Sequence, residues 1–195
     1  MLYDYLYKII LIGESGVGKS TFFSRLINRP TDENSTIGIE LGNTLSVVPD
    51  GTIIKINIWD TAGQEFYHSI VKNYYRDIVG AIFLFDISDK QSFEKIKTTW
   101  FDEFLSCNQT HISNILVGNK SDLGRQVPYE DALTFATDNH MEYYEISSTH
   151  CDDVFFFHTY IEDIYHKMPL EITPGMGIRL PPILEEKEPR CCIIN

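Results

Sequence analysis

Gly13-Glu14-Ser15-Gly16-Val17-Gly18-Lys19-Ser20 is the first stretch whose residue types and spacing can do chemistry. It fits the pattern G-x-x-x-x-G-K-[ST] and stands between an apolar run and a helix-like stripe, the context in which that pattern holds phosphates. Its glycines let backbone N–H groups turn inward around a β-phosphate, and the start of the following helix adds the positive end of its dipole. Lys19 can reach β and γ oxygens and Ser20 can ligate Mg²⁺, while Ser15, Gly16, Val17, Gly18 and Thr21 complete the cradle. A plain glycine turn is the alternative that this context disfavours.

A phosphate cradle alone serves ATP-dependent kinases and ATPases as readily as GTPases. Asn119-Lys120-Ser121-Asp122, placed just after an apolar strand-like run, separates them. The Asp122 carboxylate can accept from both the ring N–H and the exocyclic amine of guanine, a pair of donors that adenine does not offer. An ordinary turn with an Asx bond is the competing reading of this tetrapeptide. In Asp60-Thr61-Ala62-Gly63-Gln64-Glu65, Asp60 falls at the end of a strand, where it can hold a Mg²⁺-bound water. Gly63 can offer its N–H to a γ-phosphate, and Gln64 can orient the attacking water, since phosphoryl transfer depends mostly on positioning and charge stabilisation.

These residues need strands to end at them and helices to start from them, and the sequence supplies both. The near-continuous apolar run Tyr5 to Ile12 reads as a strand buried on both faces. A helical stripe of Phe22, Phe23, Leu26 and Ile27 follows over 19–28 and stops at Arg29-Pro30. Pro49-Asp50-Gly51 separates strand-like runs at 41–48 and 53–59, which predicts an antiparallel hairpin. Further strands are expected at 80–86, 112–118 and 141–146, with helices at 91–106, 128–139 and 153–167. Alternation of this kind predicts an α/β fold, a doubly wound, mostly parallel six-stranded sheet with one antiparallel hairpin strand.

Composition narrows the function further. The 195 residues fit one domain, and 43% apolar content supplies its core. Sixteen Lys and Arg stand against 28 Asp and Glu, a net charge of −12 that disfavours nucleic acid as a partner. Cys107, Cys151, Cys191 and Cys192 are too few and too irregularly spaced for a disulfide framework or a zinc site, which points to a reducing compartment. The N-terminus carries no leader-like segment, and no apolar run reaches the ~18 residues of a membrane span. After Met168 the prolines and glycines accumulate, giving an expected division into a folded domain at 1–168 and a flexible tail at 169–195.

With these motifs in this order, residues 5 to 168 resemble the Ras-like small GTPases, a P-loop NTPase group built on a G domain. Within that group the chain resembles the Rab family. The Rab likeness rests on Ser35-Thr36-Ile37-Gly38-Ile39, Ile58-Trp59-Asp60-Thr61-Ala62-Gly63-Gln64-Glu65, Asn73-Tyr74-Tyr75-Arg76 and the terminal Cys191-Cys192.

The resemblance implies a GTP/GDP switch with Mg²⁺ held by Ser20, Thr36 and Asp60, Thr36 closing on the γ-phosphate when GTP is bound. Catalysis would rest on Gln64, Lys19 and Thr36. Glu145-Ile146-Ser147-Ser148-Thr149 is similar to the last base-contacting loop, with Ser147 supporting Asp122 and the Ser148 N–H facing the guanine oxygen. Implied partners are effectors, a guanine-nucleotide exchange factor, a GTPase-activating protein, Rab escort protein and GDP-dissociation inhibitor. The activating protein would supply an arginine worth roughly 10³ to 10⁵ in rate. Arg190-Cys191-Cys192-Ile193-Ile194-Asn195 reads either as a Cys-aliphatic-aliphatic-X box on Cys192 or as a two-cysteine Rab terminus. Prenyl groups on both Cys191 and Cys192, the favoured reading, would place the protein on the cytoplasmic face of intracellular membranes, with a cytosolic pool and a role in vesicle trafficking.

The sequence also departs from the pattern. Arg29 to Asn34 contains no aromatic residue to pack on the guanine ring, which predicts faster nucleotide exchange than in typical relatives. Leu41 stands where Rabs often carry phenylalanine, and Phe66-Tyr67-His68 replaces a commonly basic stretch. A nucleotide-locked scaffold that scarcely hydrolyses is the rival reading, which Gln64 disfavours.

Overall fold

The computed structural model describes residues 3–30, 38–61, 72–107, 112–150, 155–167 and 178–179. Its centre is a sheet of β1 (Tyr5–Ile12), β2 (Ile39–Val47), β3 (Ile53–Thr61), β4 (Gly80–Asp86), β5 (Ser113–Asn119) and β6 (Glu142–Glu145), in the order β2-β3-β1-β4-β5-β6. β2 runs antiparallel to β3, and the neighbours from β3 to β6 are all parallel. The doubly wound sheet expected from the alternation of elements is therefore present. A two-residue strand, β7 (Ile178–Arg179), pairs antiparallel with Leu6 and Tyr5 of β1.

Successive residues of a strand face opposite sides of a sheet, and both sides of this one are covered. Ile9 and Leu11 enter one core with Phe22, Phe23, Ile56, Ile58, Tyr160 and Ile164. Ile10 and Ile12 enter the other with Phe83, Phe85, Phe93, Trp100, Phe104 and Ala136. This two-sided burial is why β1 and β4 read as unbroken apolar runs rather than alternating ones.

The first layer is roofed by α1 (Lys19–Leu26) and the C-terminal helix (Phe155–Lys167), the second by α2 (Lys90–Lys95), α3 (Phe101–Cys107) and α4 (Tyr129–Asp138). The C-terminal helix is α5 below. The single helix expected over 91–106 is interrupted: a π-helical turn at Ile96–Trp100 joins α2 to α3. α1 ends at Leu26, and Asn28 takes the left-handed conformation at φ 53°, a usual way to terminate a helix. Among the described residues no helix is long and apolar enough to cross a membrane.

Candidate functional site

The described motifs expected to bind nucleotide fall at the carboxyl edge of the sheet, where open α/β folds bind ligands, whereas Asn73 to Arg76 precede β4. Gly13 to Gly18 follow β1, Asp60 closes β3, Asp86 closes β4, Asn119 closes β5, and Ser147 follows β6.

The loop after β1 is shaped by glycine. Gly16 and Gly18 have φ of 81° and 95°, the left-handed region that side chains resist. A Cβ on Gly18 would lie 2.2 Å from Asn119 Nδ2, and one on Gly13 would lie 2.2 Å from the Leu84 carbonyl oxygen. Gly18 caps α1 with no side-chain hydrogen bond, so the start of the helix is not closed by a side chain and is suited to an anion.

Lys19, the first residue of α1, is buried and donates from Nζ to the carbonyls of Gly13 at 2.9 Å and Glu14 at 2.7 Å. Burial pulls its ammonium down to about 8, against the opposing pull of Asp60 and Glu14. A buried cation at the mouth of an N–H cradle is the complement of a phosphate chain.

One residue on, Ser20 Oγ donates to Asp60 Oδ2 at 2.6 Å, and Asp60 is completely buried. Thr61 Oγ1 donates to the Leu11 carbonyl at 2.7 Å and pins this end of β3 to β1. A hydroxyl and a carboxylate side by side are hard oxygen donors of the kind Mg²⁺ takes when phosphates and water fill its remaining positions. Among the described residues no cluster of three or more His, Cys, Asp or Glu is placed to hold a metal.

The other half of the site is organised by one buried amide. Asn119 Nδ2 donates to the Val17 carbonyl at 2.8 Å, and its Oδ1 accepts from the Ser148 N–H at 3.0 Å and from Ser148 Oγ at 2.9 Å. Three loops are joined by a single side chain. The Ser148 N–H, which the resemblance sets against a guanine oxygen, donates here to Asn119, whose buried carbonyl oxygen requires donors.

Asp122 stands at the rim. Ser147 Oγ donates to its Oδ1, and this bond holds the carboxyl below its ordinary range, so it is ionised at neutral pH. Ser147 Oγ also lies 2.9 Å from Thr149 Oγ1 and 2.9 Å from His150 Nδ1. Lys120 adopts φ 62° and pairs with Asp86 at 2.6 Å, while Asp86 Oδ1 accepts from Ser88 N and Oγ.

Together the described parts offer a cradle for phosphates, an oxygen pair for a divalent cation and an acceptor for a base. A family model of the Ras family matches residues 8–166. This chain belongs to the Ras family. Like that family it is a small GTPase, a guanine-nucleotide switch whose members bind GTP and GDP with Mg²⁺ and meet exchange factors, activating proteins and effectors.

Three contacts of this Ras-family site were not anticipated from sequence. Arg25 of α1 donates from Nε to the Ser148 carbonyl at 3.1 Å and from Nη2 to the Thr149 carbonyl at 3.0 Å. Asp86 anchors Lys120, and the Trp100 indole reaches Glu14. None sits in a motif, so no local pattern flags them. Thr36, Gly63 and Gln64, the substituted stretches at 31–34 and 66–68, and the terminal Cys191 and Cys192 lie outside the described residues.

Beside the site, Trp59 and Tyr74 pack with ring centroids 5.0 Å apart, and Lys8 Nζ stands 5.0 Å from the Trp59 ring. Leu41 lies opposite Trp59 in the β2–β3 register and is 49% exposed, so this edge of the sheet presents an apolar surface.

Proposed function

We propose that this Ras-family GTPase is a Rab-type switch acting in vesicle-mediated membrane trafficking. The observation that carries the nucleotide reading is the convergence of Lys19, the Ser20–Asp60 pair and the Ser147–Asp122 pair on one edge of the sheet.

In this reading the N–H groups of Gly13 to Lys19 and the Lys19 ammonium bind the β and γ oxygens, with Ser15, Gly16, Val17, Gly18 and Thr21 completing the pocket wall. Ser20 and Asp60, with Thr36, hold Mg²⁺, which when bound neutralises phosphate charge. Gln64 orients the attacking water and the Gly63 N–H engages the γ-phosphate. Asp122 accepts from the guanine edge, Ser147 fixes Asp122, and Asn119, Lys120, Ser148 and Thr149 shape the base pocket.

The Rab reading is supported by the Trp59–Tyr74 pair and by Cys191-Cys192. The exposed Leu41 opposite Trp59 departs from the Rab pattern and leaves an apolar face on which effectors of other choice can dock. Residues 1–168 act as the G domain and 169–195 as the tail. Two prenyl groups on that tail give stable attachment where one gives only marginal binding. The protein then cycles between the cytosol and the cytoplasmic face of endomembranes with an escort protein and a GDP-dissociation inhibitor.

Single-turnover hydrolysis of GTP with Mg²⁺ tests the switch. Slow turnover that falls further in Gln64→Leu, and loss of guanine preference in Asp122→Asn, is the expected result; tight GTP binding without turnover would favour the scaffold. Mass spectrometry of protein from its own cells tests the membrane reading, and two unmodified cysteines would overturn it.

A further inference from the structure

The π turn at Ile96–Trp100 is the one departure from regular helix geometry between Lys90 and Cys107. Such turns accommodate an extra residue at the expense of helix regularity, and they are found where a side chain must be re-aimed. The residue at the end of this one is Trp100, 1% exposed and packed in the second core. Its Nε1 donates to Glu14 Oε1 at 2.9 Å. Glu14 is the second residue of the phosphate loop, and its carbonyl accepts from Lys19 Nζ at 2.7 Å. The same loop residue is thus held at its main chain by Lys19 and at its side chain by Trp100.

We propose that Trp100 is a positioning residue for the phosphate loop. The π turn aims the indole N–H at Glu14, and that bond keeps the loop in its receiving shape. The inference rests on the reading of Gly13 to Ser20 as a nucleotide-phosphate site. A carboxylate gripped by a buried donor is a strong, directional hold, and it adds a side-chain anchor to the main-chain ones that Lys19 and Asn119 give this loop. The helix of which Trp100 is part therefore acts on phosphate binding without touching the nucleotide.

The test measures release of a fluorescent GDP analogue from the full chain in Trp100→Phe, Glu14→Ala, Glu14→Gln and the Trp100→Phe/Glu14→Ala double variant. Trp100→Phe keeps a ring in the core and removes the donor. Each of Trp100→Phe and Glu14→Ala should speed release about tenfold. The double variant should release no faster than the quicker single, since both remove one bond. Glu14→Gln, which keeps an acceptor, should recover most of the retention.

A spectroscopic readout follows from the chain having only two tryptophans. In a Trp59→Phe background the Trp100 emission should change when GDP leaves, and Glu14→Ala should abolish that change. Should Trp100→Phe fail to fold, the Glu14 variants and this signal decide the matter alone. Release within twofold of the native rate in Glu14→Ala, or multiplicative effects in the double variant, would overturn the proposal. A chain that never binds the GDP analogue would instead overturn the nucleotide reading beneath it.

Discussion

Lys120 and Asp86 form a 2.6 Å ion pair that joins the carboxyl ends of β5 and β4 beside the loop that carries Asp122. Lys120 is held at φ 62°, a backbone region costing a non-glycine residue roughly 1–2 kcal/mol. The pair offsets that strain by tying the side chain down. Its Asp86 side is 10% exposed and its Lys120 side 33%, so solvent screens it only in part. Asp86→Asn should accelerate GDP release roughly tenfold, a loss of about 1.4 kcal/mol. Stopped-flow exchange measures it directly.

The same carboxylate gives an acid signature. Burial pushes the Asp86 carboxyl up, but Lys120 and Ser88 more than reverse this and leave it below its ordinary value. A lowered carboxyl contributes stability above its unfolded pKa and loses it as pH falls through the lower folded one. Thermal melts of the native protein should therefore fall off in acid more steeply than those of Asp86→Asn. Equal slopes would mean that the pair adds nothing.

Lys19 predicts the opposite limb. Burial lowers its pKa from 10.5 to about 8, so between those values the unfolded chain binds a proton that the folded one does not. Stability of the nucleotide-free protein should rise with pH across that window and show no Lys19 dependence below it. Phosphates favour the ammonium, so nucleotide affinity should weaken as pH climbs above about 8. Calorimetric titrations at pH 7.5 and 9.5 check this, with Lys19→Met expected to lose tight binding at both.

Arg25 holds the loop after β6 from α1, through the carbonyls of Ser148 and Thr149. Arg25→Ala removes two hydrogen bonds of about 1 kcal/mol each, and release of GDP should quicken by roughly tenfold or more. Arg25→Lys cannot reproduce the fork geometry and should recover only part of the loss. Exchange rates of the two variants, compared with their melting temperatures, separate a local effect from general unfolding.

Two glycines of the phosphate loop should respond differently to alanine. At Gly16 a Cβ meets nothing within 4 Å, leaving only a backbone cost on the order of 1 kcal/mol. At Gly18 the same backbone cost is joined by the 2.2 Å collision with Asn119 Nδ2. Gly18→Ala should therefore lower nucleotide affinity at least 100-fold, by displacing the amide that joins three loops. Binding isotherms for both variants would reveal the contrast, and equal losses would refute it.

What could be read from the sequence was whatever local pattern encodes. The two-sided burial of β1, the Pro49-Asp50-Gly51 turn and the glycine cradle each leave a signature within a dozen residues. The six main strands, α1, α4 and α5 lie within two residues of where periodicity put them, while the short helix at Lys72–Tyr75 and the strand at Ile178–Arg179 were not foreseen. The π turn was missed because Ile96 to Trp100 has ordinary helix formers on either side, and the irregularity serves a contact 86 residues away in sequence. Arg25, Asp86 and the engagement of the Ser148 N–H were missed for the same reason: each is decided by tertiary partners that spacing cannot reveal.

The bond from Arg25 to Ser148 spans 123 residues, and that from Asn119 to Val17 spans 102. During synthesis the phosphate loop therefore leaves the ribosome long before the groups that complete its pocket. Until residues near Ser148 have emerged, no GTP or GDP can lend its binding energy to the growing chain. For most of its translation this protein folds without the ligand that later secures it, and its early strands have only their apolar faces to hold them together.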